Sequence, residues 1–188
     1  MKTRFGLACA LALAGVTLAQ TTLSDNSSSA ASGSYTASGS LALAADFSTD
    51  ADYLLSSVTL LIVQDTAGIA SVSLYSDNSG YPGTLLGTLT SPDTYPTSGV
   101  SSTTFTSTDG IALSANQTYW IVLTAPSGSF DWSWTADNAG TGAGFLADSA
   151  YFDGTYWYGT GGIYPYQFTI VATPVTVNAN QKALRKGQ

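Results

Sequence analysis

Histidine is absent from the chain, the only cysteine is Cys9, the only methionine is Met1, and all 12 acidic residues are aspartate. Of the five cations, Lys2 and Arg4 stand at the start and Lys182, Arg185 and Lys186 at the end, so no basic side chain occurs from Gln20 to Gln181. Each absence excludes a chemistry. Without histidine and a retained cysteine, neither a Ser-His-Asp nor a Cys-His arrangement can be assembled, and the usual zinc and copper ligands are missing. Lys182 and Lys186 lie in a polar tail with nothing to desolvate them, which argues against an activated lysine. Binding to a phosphate backbone or an anionic membrane surface depends on Lys and Arg, so neither nucleic acid nor such a membrane is an expected partner. Hydrolysis by paired carboxylates stays formally open because Asp is plentiful, but no Asp is marked by its context as a raised-pKa acid, and the chain is not read as an enzyme.

The first residues, MKTRFGLACALALAGVTLAQ, combine a charged start, a short apolar run and a small-residue exit. That is the pattern of a secretory signal peptide over 1–19, and the run is too short to span a bilayer. Cleavage after Ala19 removes Cys9 and leaves three cations against 12 aspartates, a net −9. The expected location is secreted or extracellular, including association with the cell surface, and no transmembrane segment is expected in the mature chain.

What the sequence does contain is period two. Residues 20–39 are rich in Ser, Ala and Gly and read as a loose leader or linker. From Ser40 onward, Leu41, Leu43, Ala45 and Phe47 alternate, followed by SVTLLIVQD, IASVSLYSD, TLLGTLT, STTFTS, TYWIVLT, SFDWSWTAD, AYFDGTYWYG and YPYQFTIVAT. With turn signals between them and no helical period, these runs predict an all-β fold, an antiparallel β-sandwich of jelly-roll type with about nine strands over 40–173. Residues 174–188 form a short basic tail. TYWIVLT is apolar on both faces, as suits a central strand. The loop GTGAG (140–144) lacks both the spacing and the strand-to-helix context of a dinucleotide fingerprint. Asn116-Gln-Thr118 and Asn26-Ser-Ser28 fit the glycosylation sequon.

The order of SSVTLLI, SVSLYSDNSGYPGTLLGTLT, FTSTDGIALSANQTYWIVL, FDWSW and YQFTI resembles the choice-of-anchor R domain of exported bacterial proteins, over most of residues 40–172. The resemblance implies a secreted or surface-displayed β-sandwich whose relatives differ in their C-terminal anchors. It implies no activity and no catalytic residues. Neither an LPxTG-like sorting signal nor a terminal apolar helix with a basic stop is present, so free secretion or non-covalent surface association is expected. The function read from all of this is a non-catalytic adhesion, matrix or structural module of a bacterial envelope. The alternative is a carbohydrate-binding module, and the partner is a cell-surface or matrix component, a glycan under that alternative.

Two groups of residues are candidates for a site. Asp46, Asp50 and Asp52 crowd the stretch DFSTDAD, where hard oxygen ligands suit a structural calcium ion; otherwise no cofactor is expected, and the competing reading is that these side chains cap turns. Aromatic residues form the second group. On a strand, Phe130, Trp132 and Trp134 share one face, which favours a core wall, with Trp134 at the loop end as the candidate for ligand contact. In AYFDGTYWYG, a two-residue Asp153-Gly154 turn pairs Tyr151 with Tyr156 and Phe152 with Thr155. Tyr151, Tyr156 and Tyr158 then share an exposed side that either recognises a ligand or braces the hairpin, while Phe152 and Trp157 face inward. Mass spectrometry of the secreted product should find an N-terminus close to Gln20; a full-length cytoplasmic chain would contradict the export reading.

Overall fold

A computed structural model describes residues 19–175. Residues 1–18 with Cys9, which fall within the expected signal peptide, and the tail from residue 176 with Lys182, Arg185 and Lys186, lie outside the described residues. Ten strands follow in chain order: β1 (Thr21–Asp25), β2 (Gly33–Ser38), β3 (Ala42–Ser48), β4 (Tyr53–Asp77), β5 (Pro82–Thr88), β6 (Ser101–Leu113), β7 (Thr118–Trp134), β8 (Phe145–Phe152), β9 (Trp157–Gly159) and β10 (Phe168–Pro174). Every pairing between them is antiparallel. They make one continuous sheet in the order β1-β10-β4-β7-β3-β8-β9, with β2 joined to β7 and both β5 and β6 joined to β4. The all-β antiparallel expectation holds, in a sandwich-like form built from a single open sheet. Among the described residues no helix is long and apolar enough to cross a membrane.

The long strands β4 and β7 each join two runs that the sequence suggests are separate. Their shared ladder runs from Ile62↔Trp132 to Ser76↔Tyr119 and is interrupted by bulges between Gln64 and Ser71. Two glycines explain the interruption. A Cβ on Gly68 would stand 2.0 Å from the Ser127 carbonyl oxygen, and one on Gly128, at φ +69°, would stand 2.4 Å from the Thr66 oxygen. The two backbones meet here at a distance that only glycine allows. Bulges of this kind bend a strand and increase its twist.

Residues from both sides of the bend meet in one core. Val58, Leu60 and Ile62 from the first half of β4 belong to the same buried cluster as Val72 and Leu74 from the second half. Phe47 of β3, Ile121 and Leu123 of β7, Phe105 of β6, and Phe168 and Ile170 of β10 complete it. The sheet therefore folds back on itself. Phe130 and Trp132 are wholly buried in this core, and the Trp132 indole N–H donates to the Gln167 carbonyl at 2.9 Å, which satisfies the polar end that a buried tryptophan must place. Five consecutive residues of β7, Tyr119 to Leu123, are buried because β3 and β4 flank the strand and both its faces are covered.

The stretch 20–39 is not a loose leader. Its small residues form β1 against β10 and β2 against β7. Strands that join an existing sheet edge through backbone hydrogen bonds need few apolar side chains, and here Leu23 and Ala37 suffice. Asn26, between the two strands, is buried and hydrogen-bonded at both ends of its amide, donating to the Tyr166 carbonyl at 2.9 Å and accepting from the Phe168 N–H at 2.8 Å. In the folded chain its side chain is therefore enclosed. A chain starting at Ser40 is expected to lose several kcal/mol, comparable with the stability of a whole domain. Thermal unfolding should show the truncated chain aggregated or melting far below the mature chain; an equal Tm would return β1 and β2 to the status of a leader.

Candidate functional site

The β8–β9 hairpin stands at the edge of the sheet as an aromatic blade. Its pairs are Ala150↔Gly159, Tyr151↔Tyr158 and Phe152↔Trp157, so the expected two-residue turn is corrected to a four-residue loop, Asp153 to Tyr156. The cause is the Asp153 side chain. Its carboxylate accepts the N–H groups of Thr155 at 2.8 Å and Tyr156 at 2.9 Å, and its own N–H donates to the Tyr156 carbonyl at 3.2 Å. These backbone donors, Tyr156 first and Thr155 next, hold the Asp153 carboxyl below the usual carboxylate range. The register moves by two residues, which preserves side-chain parity. Tyr151 and Tyr158 therefore still share one face, and Phe152 and Trp157 the other.

Tyr151 and Tyr158 stack at 5.2 Å and 18°, and both are about two-fifths exposed, at 39% and 42%. A hydrogen bond to Asp153 raises the Tyr158 phenol above its ordinary range. Tyr156, at 67% exposure, belongs to the loop and not to the stacked pair. Tyr151 lies opposite Leu43 of β3, so its face continues the inner side of the sheet beyond the edge of the core. There it meets Tyr35 of β2, which shares the inner face with its ladder partner Trp132. A cleft of about 280 Å³ opens between the edges of β2 and β8, lined by Tyr35, Leu41, Leu43 and Tyr151 together with Thr36, Ala42 and Phe152.

The other face of the blade borders a second cavity. Ala42, Ala44, Val122 and Ala150 form a small-residue floor on the outer side of the sheet, and Trp120 lies buried among them. The turn from β4 to β5 folds over this floor: the Tyr81 hydroxyl comes within 3.6 Å of where a Cβ of residue 159 would stand. Asp77 pins the turn by accepting the Trp120 indole N–H at 2.8 Å and the Gly80 N–H at 3.1 Å. What remains open is a cavity of about 300 Å³ walled by Tyr75, Pro82, Phe152 and Trp157. Phe152 and Trp157 are thus only half-buried and pack against this second cluster, not against the main core the sequence assigned to them.

The remaining sequence candidates are placed elsewhere. Trp134 covers Gly33 and meets Tyr164 edge-on at 4.7 Å; its indole N–H is buried without a partner among the described residues, and it lines neither cavity. Asp46, Asp50 and Asp52 have three different tasks. Asp50 accepts the Tyr53 hydroxyl at 2.7 Å, and Asp52 accepts the Ala115 N–H at 2.8 Å. Asp46 is 7% exposed on the outer face of β3 and accepts the Asp148 N–H at 3.1 Å. Among the described residues no three acidic groups gather in a way that holds a metal ion. Sequence reasoning missed Tyr35, Tyr75 and the outer-face acid Asp148, and it marked Asp77 only as a turn acid beside Asn78. Tyr35 does carry a signal, as the one large side chain in SGSYTASG, but nothing local tells which strand it faces.

No family model matches the chain, and no curated protein matches it at a significant level.

Asp46 supplies a measurable property. Burial first, then the negative charge of Asp148 and more weakly that of Asp77, pushes its carboxyl up to about 7. Between the ordinary carboxylate value of about 4 and that figure, the folded protein keeps a proton that the unfolded chain releases. Stability therefore falls as pH rises from about 4 to about 7, by on the order of 2–4 kcal/mol, and levels off above. Asp46→Asn is expected to flatten this slope, raising Tm at pH 8 and leaving it nearly unchanged at pH 4.5. A variant with the wild-type slope in circular-dichroism melts would place the titration elsewhere.

Proposed function

We propose that this chain is a non-catalytic β-sandwich module exported to a bacterial envelope, secreted or held at the cell surface, where it serves adhesion or matrix assembly by binding. The resemblance to choice-of-anchor R domains and the signal-like start support the location. The lack of histidine and of a retained cysteine supports a binding role over a catalytic one.

One observation carries the reading. Tyr35, Tyr151, Tyr156 and Tyr158 stand 39–67% exposed around a single corner of the sheet. Grouped exposed aromatics on a soluble protein mark recognition surfaces, and rigid strands hold them with little ordering to be lost on binding. The second reading, a carbohydrate-binding module, is favoured by the parallel Tyr151–Tyr158 stack, which offers an apolar platform ringed by phenol hydroxyls.

The test is attachment. The purified mature chain should sediment with envelope fragments of the producing bacterium, and the Tyr151→Ala/Tyr158→Ala double variant should stay in the supernatant with its Tm little changed. Equal sedimentation of the two proteins would remove the tyrosine corner from the binding surface.

A further inference from the structure

Removal of the expected signal peptide after Ala19 makes Gln20 the first residue of the exported chain. The fold begins at once behind it. Thr21 pairs with Ala172 and Thr22 with Val171, so a single residue separates the new terminus from the β1–β10 ladder. Gln20 itself is exposed and lies outside the strand, so no burial holds its side chain away from its own α-nitrogen.

That short lead is a point of attack. β1 stands at the end of the sheet order, yet it supplies Leu23 to the core at 1% exposure and runs directly into Asn26, the buried amide that bonds residues 166 and 168. An aminopeptidase that removes Gln20 and Thr21 has already taken the first pair of the ladder.

We infer that Gln20 of the exported chain closes on itself to a pyroglutamyl residue, a neutral lactam that caps the amino end of β1. The inference rests on the export reading and on cleavage after Ala19. The step is a transamidation within one residue. The free α-amine nitrogen attacks Cδ of its own side chain, the new N–Cδ bond replaces the Cδ–Nε2 bond, and the amide nitrogen leaves as ammonia with the proton that the amine gives up. No oxidant, metal or second substrate enters.

Two properties favour closure. Amine and electrophile belong to one residue, which makes the attack unimolecular, and an exposed terminus leaves the side chain free to turn back on it. An α-amine ordinarily titrates at about 7.7–8.0, so part of it is the nucleophilic free base at neutral pH. The reach suits glutamine alone: asparagine would close a strained smaller ring, and the carboxylate of glutamate is a far poorer electrophile. The product offers no free amine to an aminopeptidase, so the lead into β1 is closed to trimming without any added contact.

Mass spectrometry and Edman degradation of the native secreted chain test this, using wild type and Gln20→Ala. The wild-type N-terminal peptide is expected to begin at residue 20, to be lighter than its glutaminyl form by one ammonia, and to give no Edman sequence until pyroglutamyl peptidase exposes Thr21. A labelled synthetic peptide with its glutamine intact, carried through the same work-up, guards against closure during handling. Gln20→Ala should give its Edman sequence directly and lose its first residue to an aminopeptidase at least tenfold faster than wild type. A secreted chain that starts at residue 20 with its glutamine intact would overturn the cap and leave the export reading standing. A secreted chain that starts elsewhere would overturn the cap through the cleavage site, and a full-length cytoplasmic chain would overturn it through export itself. The wild-type mass decides the matter even if the variant is not exported.

Discussion

Everything in this sheet depends on the contact of two backbones at Gly68 and Gly128. A single side-chain carbon at either position would sit inside the van der Waals radius of the opposite carbonyl, so β4 and β7 come together only because both lack one. The ladder is bulged there, and Gln64 and Ser127 patch it by bonding the Gly68 carbonyl and the Ile69 N–H through their side chains. Each long strand thereby serves two neighbourhoods. Before the bend β4 pairs with β10, β6 and the second half of β7; after it, with the first half of β7 and with β5. Without the bend, a strand of 25 residues would extend roughly 80 Å by the usual rise per residue, and its two apolar halves could not share a core.

Electrostatic pairing contributes nothing to holding this fold, since the described residues contain aspartates and no basic partner for them. The carboxylates instead accept N–H and O–H groups: Asp77 from Trp120, Asp50 from Tyr53, Asp52 from Ala115, Asp153 from its own loop. Hydrogen bonds to a charged acceptor are the stronger kind, and each of these ties a turn to a strand. Asp46 is the exception that burial creates. Enclosed beside Asp148, it gains more by keeping a proton than by carrying charge, and it stabilises the outer face most where it stays neutral.

Alternation made much of the frame legible from sequence. Phe130 with Trp132, Leu43 with Phe47, and the two-sided burial of 119–123 all follow from the pleat and from which runs are apolar on one face or both. Residues 21–38 were not legible because edge strands built from Ser, Thr, Ala and Gly look like a linker until a partner strand is present. DFSTDAD illustrates a different limit. Its three aspartates are close in sequence, but Asp46 ends on a strand whose pleat sends it to the outer face, whereas Asp50 and Asp52 remain in the following turn. Closeness along the chain says little about convergence where strand gives way to turn.

The aromatic corner shows which features of a site survive an error in detail. Asp153-Gly154 reads as a two-residue turn, and the loop has four residues because the carboxylate of Asp153 organises two more backbone N–H groups. An even shift exchanges partners without exchanging faces, so the division of Tyr151 and Tyr158 from Phe152 and Trp157 is unaffected; a shift of one residue would have reversed it. What parity cannot supply is the surroundings of each face. The tyrosine side becomes a cleft only because β2 brings Tyr35 to it from the segment that looked like a leader, and the tryptophan side becomes a cavity only because the β4–β5 turn is pinned over it by Asp77. Both recesses are formed by contacts between segments distant in sequence, and both are fixed by the same requirement that holds β7 in place between β3 and β4. The tyrosine corner is accordingly held by β2, β3 and β8, through the same ladders that carry the rest of the sheet.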